Sequence, residues 1–258
     1  MPDSARSRSR NGGASRAGKG HNDPATKLKQ EMMYGYHMLG RHGLGLGLLG
    51  HLTARSPKGD TFYSYPLGVS FDEVTLDDIY ECDFECHVLD GDAKINPTMR
   101  IHGIIYAHRP DAMAVSHHHG DYCMALGAVS EVIRPYERTA CRFYDDMALI
   151  EDYDNVHRVP EQGEVMTKAL GKKMSLMLKH HGVLIAGRNV AHTVVSIMEA
   201  ERSARVQLMA MAAGKLQLME SKEEIEGAHA FNNSDQAVMG IWDYECRCLK
   251  REKPEFFS

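Results

Sequence analysis

Three observations in the sequence predict an α/β fold. The chain has 258 residues, 43% of them hydrophobic, enough to bury the core of one large α/β domain or two small ones. Apolar residues recur at helical spacing in several segments, the longest running from Asn189 to about Ala213. Between such segments stand short apolar runs, among them Met174-Ser175-Leu176-Met177-Leu178 and Gly182-Val183-Leu184-Ile185-Ala186, which read as buried strands. The formal net charge of −5 argues against a nucleic-acid or anionic-membrane surface. No apolar run approaches the roughly 18 residues that a membrane span needs.

Residues 1–23 carry almost no large apolar side chains and cannot offset their ordering entropy, so a disordered tail is expected there. Its Arg/Ser-rich character lacks the amphipathic pattern of a targeting peptide. Asp23 before Pro24 is an N-cap followed by a proline at the first helical position. Leu28, Met32, Met33, Tyr36 and Leu39 then mark a helix to His42. Gly43 to Gly50 alternates glycine with leucine; without a preceding strand, it reads as a turn packed beneath the next strand, or else as a substrate-anion cradle of backbone N–H groups, rather than a dinucleotide loop. Leu52–Arg55 and Thr61–Tyr65 read as strands joined by the turn Ser56-Pro57-Lys58-Gly59-Asp60.

Tyr80–Cys82 reads as a strand and Phe84–Leu89 as its hairpin partner. Pro97 to His108 reads as a helix that ends at Arg109, because Pro110 disfavours helix at the residue before it. A strand through Val115 is followed by a helix from Asp121 to Val129, and a further helix runs from Glu161 to Leu170 with Gly171 as its C-cap. Residues 141–159 are mixed, and the C-terminal end is less regular, with Trp242, Tyr244, Phe256 and Phe257 expected to dock it.

The chemistry concentrates in Ser116-His117-His118-His119-Gly120. Along a strand alternate side chains share a face, so His117 and His119 point one way, about 7 Å apart, and His118 the other. Two neutral imidazoles so placed suit one divalent metal ion. A third ligand is available from Lys179-His180-His181-Gly182, at the junction of two apolar strands where hydrophilic side chains have no packing role. Three imidazoles with an open position make a catalytic rather than a structural site. Six cysteines are scattered with no C-x-x-C pair, which excludes zinc-ribbon and thioredoxin readings. With no signal peptide to be read, those thiols point to the reducing cytoplasm.

Taken together, Arg109-Pro110-Asp111, Ala114-Val115, His117-x-His119 and His181-Gly182-Val183 before a long helix resemble the class II aldolase/adducin family. Gly50-His51-Leu52-Thr53-Ala54-Arg55 is similar to the family's G-N-I-S-A-R segment, and Pro66-Leu67-Gly68-Val69 to its P-S-G-V loop. The resemblance implies a three-layer α/β/α fold with a mostly antiparallel central sheet, as a single domain over residues 24–258. It implies a homotetramer with active sites at subunit interfaces, acting on a small molecule. It also implies one divalent metal ion on His117, His119 and His181, zinc first, with manganese, cobalt or iron also suited to imidazole. In family aldolases that ion acts as a Lewis acid on a carbonyl. His118 then faces away, and His180 is structural or supports a ligand.

The departures redirect the reaction. Sugar-phosphate aldolases of the family carry a catalytic glutamate in a P-S-S-E-x-x-x-H segment; here Asn96-Pro97-Thr98-Met99-Arg100-Ile101-His102 stands there, with Thr98 at the glutamate position. Threonine cannot shuttle a proton as a carboxylate does. His51 replaces the phosphate-binding asparagine. The expectation is a metal-dependent carbon–carbon lyase of decarboxylase or aldolase type. The alternatives are a non-haem iron oxygenase acting on an aromatic or 2-oxo acid with the same triad, and a non-catalytic adducin-like binding module. Tyr153, Arg100 and His51 are the candidates for orienting the substrate or protonating the product, and Thr98, His102 and Gly68 for binding it. Glu199, Glu201 and Arg202 on the long helix read as a solvated or interface face.

Overall fold

In the computed structural model, residues 23–45, 49–152 and 158–257 are described. The expected tail lies outside them except for Asp23, as do residues 46–48 of the glycine–leucine run and Tyr153. Among the described residues seven strands form one sheet: β1 (His51–Arg55), β2 (Thr61–Ser64), β3 (Tyr80–Asp83), β4 (Ala114–His118), β5 (Met147–Ile150), β6 (Ser175–Leu178) and β7 (Gly182–Gly187). Their order is β3-β2-β1-β4-β7-β6-β5, and every neighbouring pair is antiparallel except β5–β6. The helices are α1 (Pro24–Arg41), α2 (Arg100–His108), α3 (Asp121–Ala128), α4 (Val159–Leu170), α5 (Val190–Ala213), α6 (Lys222–Asn232) and α7 (Asp235–Glu252). None is long and apolar enough to cross a membrane.

Helices α1 and α5 pack on each other and on the central strands, whereas α2 and α4 pair together, with α4 against β5 and β6. Strand alternation supplies both layers. In β1, Leu52 lies against Gly35 of α1, where a Cβ would come within 3.0 Å of its side chain. Its neighbour Thr53 points the opposite way and brings its Oγ1 within 2.8 Å of both His102 Nδ1 and Tyr106 Oη on α2. On the α1 side Tyr36, Tyr65 and Phe71 cluster with centroids 4.8 to 5.7 Å apart. Such aromatic pairs contribute roughly 0.5–1.5 kcal/mol each beyond area burial.

Local signals explain the helix ends. The Asn189 side chain accepts a hydrogen bond from the His192 backbone N–H at 2.7 Å, closing the first turn of α5. Asn189→Ala should therefore lower stability by about 1 kcal/mol, read from the shift of a denaturant midpoint at unchanged slope. One turn on, the buried His192 imidazole lies 3.2 Å from Asn233 Oδ1, and burial together with Arg188 and Arg142 pushes its pKa down to about 4. The unfolded chain takes up this proton near pH 6.5 while the folded chain refuses it, so stability falls as the pH drops below 6.5. At pH 5 the loss is about 2 kcal/mol. The stability lost by His192→Gln between pH 7 and pH 5 should be smaller by that amount, and equal losses in the two proteins would contradict it.

Two segments differ from the sequence expectation. Phe84–Leu89 is not a strand: Asp83 Oδ1 accepts from the His87 N–H at 2.8 Å, and Cys86 takes a left-handed φ of 72°. The chain curls there, and only Val88 returns to bridge Cys82. The C-terminal end is more regular than expected, because Ser221 and Ser234 cap α6 and α7. Val238, Trp242, Glu245, Cys248 and Leu249 form the buried stripe of α7. Glu245 Oε2 lies 2.9 Å from Arg41 Nη1 and its Oε1 3.2 Å from His42 Nε2, which ties α7 to the end of α1.

Candidate metal centre

Antiparallel pairing brings the site together. With β1 and β7 both antiparallel to β4, the start of β1, the end of β4 and the start of β7 fall at one end of the sheet. His51 is directly opposite His117, and His118 is opposite Val183. His181 sits one residue before β7 in a tight connection from β6, in which His180 adopts a φ of 58°. That connection presses on β4: a Cβ on Gly182 would lie 2.2 Å from the His118 carbonyl oxygen, so only glycine fits.

The three expected ligands converge. Ring centroids of His117 and His119 are 4.7 Å apart, those of His117 and His181 5.0 Å, and those of His119 and His181 4.6 Å. One ligand atom from each lies within 4.8 Å of the others. His117 Nδ1 is 3.0 Å from the Val183 carbonyl; as the N–H donor to it, this nitrogen leaves Nε2 free to ligate. Burial lowers the pKa of His117 and His119, and for His117 the neighbouring imidazoles push in the same direction. Both rings are thus neutral at pH 7, the form that offers a lone pair to a metal. The donor set, its spacing and its protonation all fit a divalent ion held by three imidazoles with open positions.

His118 takes the opposite face, as alternation requires. It is fully buried, with Nδ1 2.6 Å from the Leu44 carbonyl, Nε2 2.7 Å from Ser116 Oγ and its ring edge-on to Phe71 at 5.6 Å. Its pKa, lowered to about 3 chiefly by burial, makes it a neutral structural tether.

Beside the triad, the His51 ring lies 6.0 Å from that of His117. Its Nε2 is 3.1 Å from Asn96 Nδ2 and 3.0 Å from Thr98 Oγ1. Asn96 Oδ1 already accepts from the Thr98 N–H and Oγ1–H, so Asn96 Nδ2 donates to His51 Nε2. The proton of His51 then sits on Nδ1, and burial with nearby His119 and His181 lowers its pKa to about 4. His102 lies behind, its ring 5.8 Å from that of His51 and its buried Nε2 without a hydrogen-bond partner among the described residues. Gly68, at φ 92°, lines a small cleft with Tyr65, Val69, Asn96 and Met99.

Arg100 is placed differently from the other candidates. Its guanidinium donates to the Phe84 carbonyl at 2.5 Å and pairs with Glu85 at 2.5 Å, so it fastens the curled 84–89 segment. Tyr153 lies outside the described residues. Asn96, which sets the tautomer of His51, had no sequence signal beyond its place before Pro97.

A profile of the family described as "Class II Aldolase and Adducin N-terminal domain" matches residues 30–208. Among curated proteins, "4-hydroxy-3-prenylphenylpyruvate oxygenase/4-hydroxy-3-prenylbenzoate synthase" of Streptomyces roseochromogenus subsp. oscitans is 30% identical over 171 residues, covering 65% of this chain and 62% of that protein. "Decarboxylase NovR" of Streptomyces niveus is 29% identical over 172 residues, covering 66% of this chain and 64% of that protein. The matches thus span somewhat under two thirds of the length of either relative. Among solved structures, the L-fuculose 1-phosphate aldolase from Glaciozyma antarctica PI12 superposes with a TM-score of 0.81 at 24% identity, covering 90% of this chain and 91% of that one, a likeness of fold. Profile, relatives and fold agree: the chain belongs to the class II aldolase and adducin N-terminal domain family.

Proposed function

We propose that this protein is a divalent-metal-dependent carbon–carbon lyase of decarboxylase or aldolase type, holding its ion on His117, His119 and His181. The observation that carries the reading is the convergence of three imidazoles, their ligand atoms within 4.8 Å of one another, at one end of the sheet. Zinc is the ion we assign first, with manganese, cobalt and iron compatible with the same donors. When bound, such an ion supplies Lewis-acid polarisation to a substrate carbonyl or carboxylate.

The chain's own residues define the rest of the chemistry. His51, Asn96 and Thr98 form a neutral, hydrogen-bonded wall beside the triad. Thr98 offers a hydroxyl where a carboxylate would serve as base, so the wall suits orienting a substrate oxygen better than abstracting a proton from carbon. This favours decarboxylation, in which carbon dioxide departs and no base is needed to generate the carbanion. His51, held neutral with Nε2 accepting from Asn96, is the group we assign to orienting the substrate, and the proton that replaces carbon dioxide on the product comes from solvent. Gly68, beside Asn96, is a residue we assign to contact with the substrate. We place the protein in the cytoplasm as a homotetramer, with residues 24–258 as one domain.

A second reading is favoured by the oxygenase named among the relatives: iron on the same triad, acting on an aromatic or 2-oxo acid. Metal analysis of protein purified without chelator, joined to turnover assays on hydroxy-aromatic and 2-oxo acids, separates the two. Zinc, manganese or cobalt with anaerobic turnover supports the lyase, whereas iron with oxygen-dependent turnover supports the oxygenase. A chain that binds no metal, and whose stability is unaltered by His117→Ala and His181→Ala, would be left as an adducin-like binding module.

A further inference from the structure

We infer that Glu201, on the long helix α5, is a positioning residue for the metal ligand His119; this rests on the metal reading above. Helix α3 begins two residues after His119, and its N-cap is Gly120, which has no side chain with which to close the first turn. The missing cap comes from α5. Glu201 Oε1 accepts from the Tyr122 N–H at 2.8 Å and Oε2 from the Cys123 N–H at 3.0 Å. A carboxylate spanning two free N–H groups at a helix N-terminus makes charge-assisted hydrogen bonds and meets the positive end of the helix dipole. One turn further along α5, the Arg205 guanidinium lies 5.9 Å from the centre of the Tyr122 ring, a second hold on the same turn.

The ligand nearest this clamp is the one with least support of its own. His117 lies inside β4, paired with Leu184, with its ring hydrogen-bonded to Val183. His119 lies beyond the last paired residue of β4, His118, and no hydrogen bond reaches its ring among the described residues. Its position is therefore set by the chain on either side, by β4 before it and by the α3 N-terminus after it. Gly120 belongs to the device, because a Cβ there would sit 2.3 Å from Glu201 Oε2 and displace the carboxylate. Its φ of −63° is open to any residue, so what the glycine serves here is the approach of the Glu201 carboxylate rather than the backbone conformation.

The test is zinc affinity of the full chain, measured by competition with a chromophoric chelator, beside the thermal midpoint of the metal-free protein. Glu201→Ala should weaken zinc binding by about ten- to a hundredfold, the usual effect of removing a group that orients a ligand. Glu201→Gln, whose amide oxygen can keep one of the two bonds, should fall between. Gly120→Ala, which retains the carboxylate but pushes it aside, should weaken zinc as Glu201→Ala does. Asn189→Ala removes a cap from the same α5 helix and should lower the thermal midpoint with zinc affinity unchanged. Wild-type affinity in both Glu201→Ala and Gly120→Ala overturns the inference, as does an equal loss in Asn189→Ala, which would make the effect one of general stability. A wild-type chain that binds none of zinc, manganese, cobalt or iron overturns the metal reading and this inference with it.

Discussion

His117→Ala and His181→Ala should each strip the protein of its metal and reduce turnover by about a thousandfold or more. That figure follows from the several kcal/mol of transition-state stabilisation an ion supplies as a Lewis acid, at 1.36 kcal/mol per factor of ten. The control is the middle member of the histidine run that holds His117. His118 faces the α1 layer and is bonded to Leu44 and Ser116, so His118→Asn should lower the thermal midpoint while metal stoichiometry stays at that of the wild type. Metal content by elemental analysis and stability by calorimetry, measured on all three variants, separate a ligand from a tether. If His118→Asn loses metal while His117→Ala keeps it, the assignment of faces is wrong.

The second large effect is expected at Gly182. A methyl group there would lie 2.2 Å from the His118 carbonyl oxygen and 3.5 Å from His117 Cε1. The obstacle is backbone at the end of the β4–β7 pairing and cannot rotate away as a side chain would. Gly182→Ala should therefore destabilise the fold by about 3 kcal/mol, at the upper end of overpacking costs. Because β7 must move away from β4, the distance between His117 and His181 should open and the metal affinity fall as well. Denaturant titration of the metal-free protein checks the first part, chelator competition the second. A variant as stable as the wild type would show that the two strands are less tightly apposed than described.

How much of this was legible in the sequence depended on whether the cause was local. Asn189 before a long apolar-periodic segment marked the start of α5, because capping and periodicity both act within one helix. The division of His117, His118 and His119 between two faces was legible from strand alternation, and Gly182 from its place between two strands. Glu201 gave no such signal. Its task is to cap a helix about eighty positions earlier, and the sequence offers only a charged residue on an amphipathic helix, which reads as a solvated or interface face. Glu199, two residues earlier on the same helix, is more buried than a solvated face would have it: burial raises its pKa, against the influence of Arg142 and Arg202. Arg100 showed the converse, since its cationic head is absorbed by a loop whose curl the sequence did not disclose. Helices α6 and α7 were missed because their exposed faces dilute the apolar stripe, although serines at both starts carried the capping signal.

The pairing of β4 between β1 and β7 makes the triad a gauge of strand phase. A slip of one residue in β4 would turn His118 toward the ligand face and swing His117 and His119 into the aromatic layer beneath α1. Three consecutive histidines supply two ligands in one phase and a single ligand in the other, so tight metal retention accompanies only the correct register. Insertions or deletions in β4 that preserve the hydrophobic core would then be silent in compactness and visible in metal content. Bound metal is thus the more exacting measure that this sheet has assembled in register.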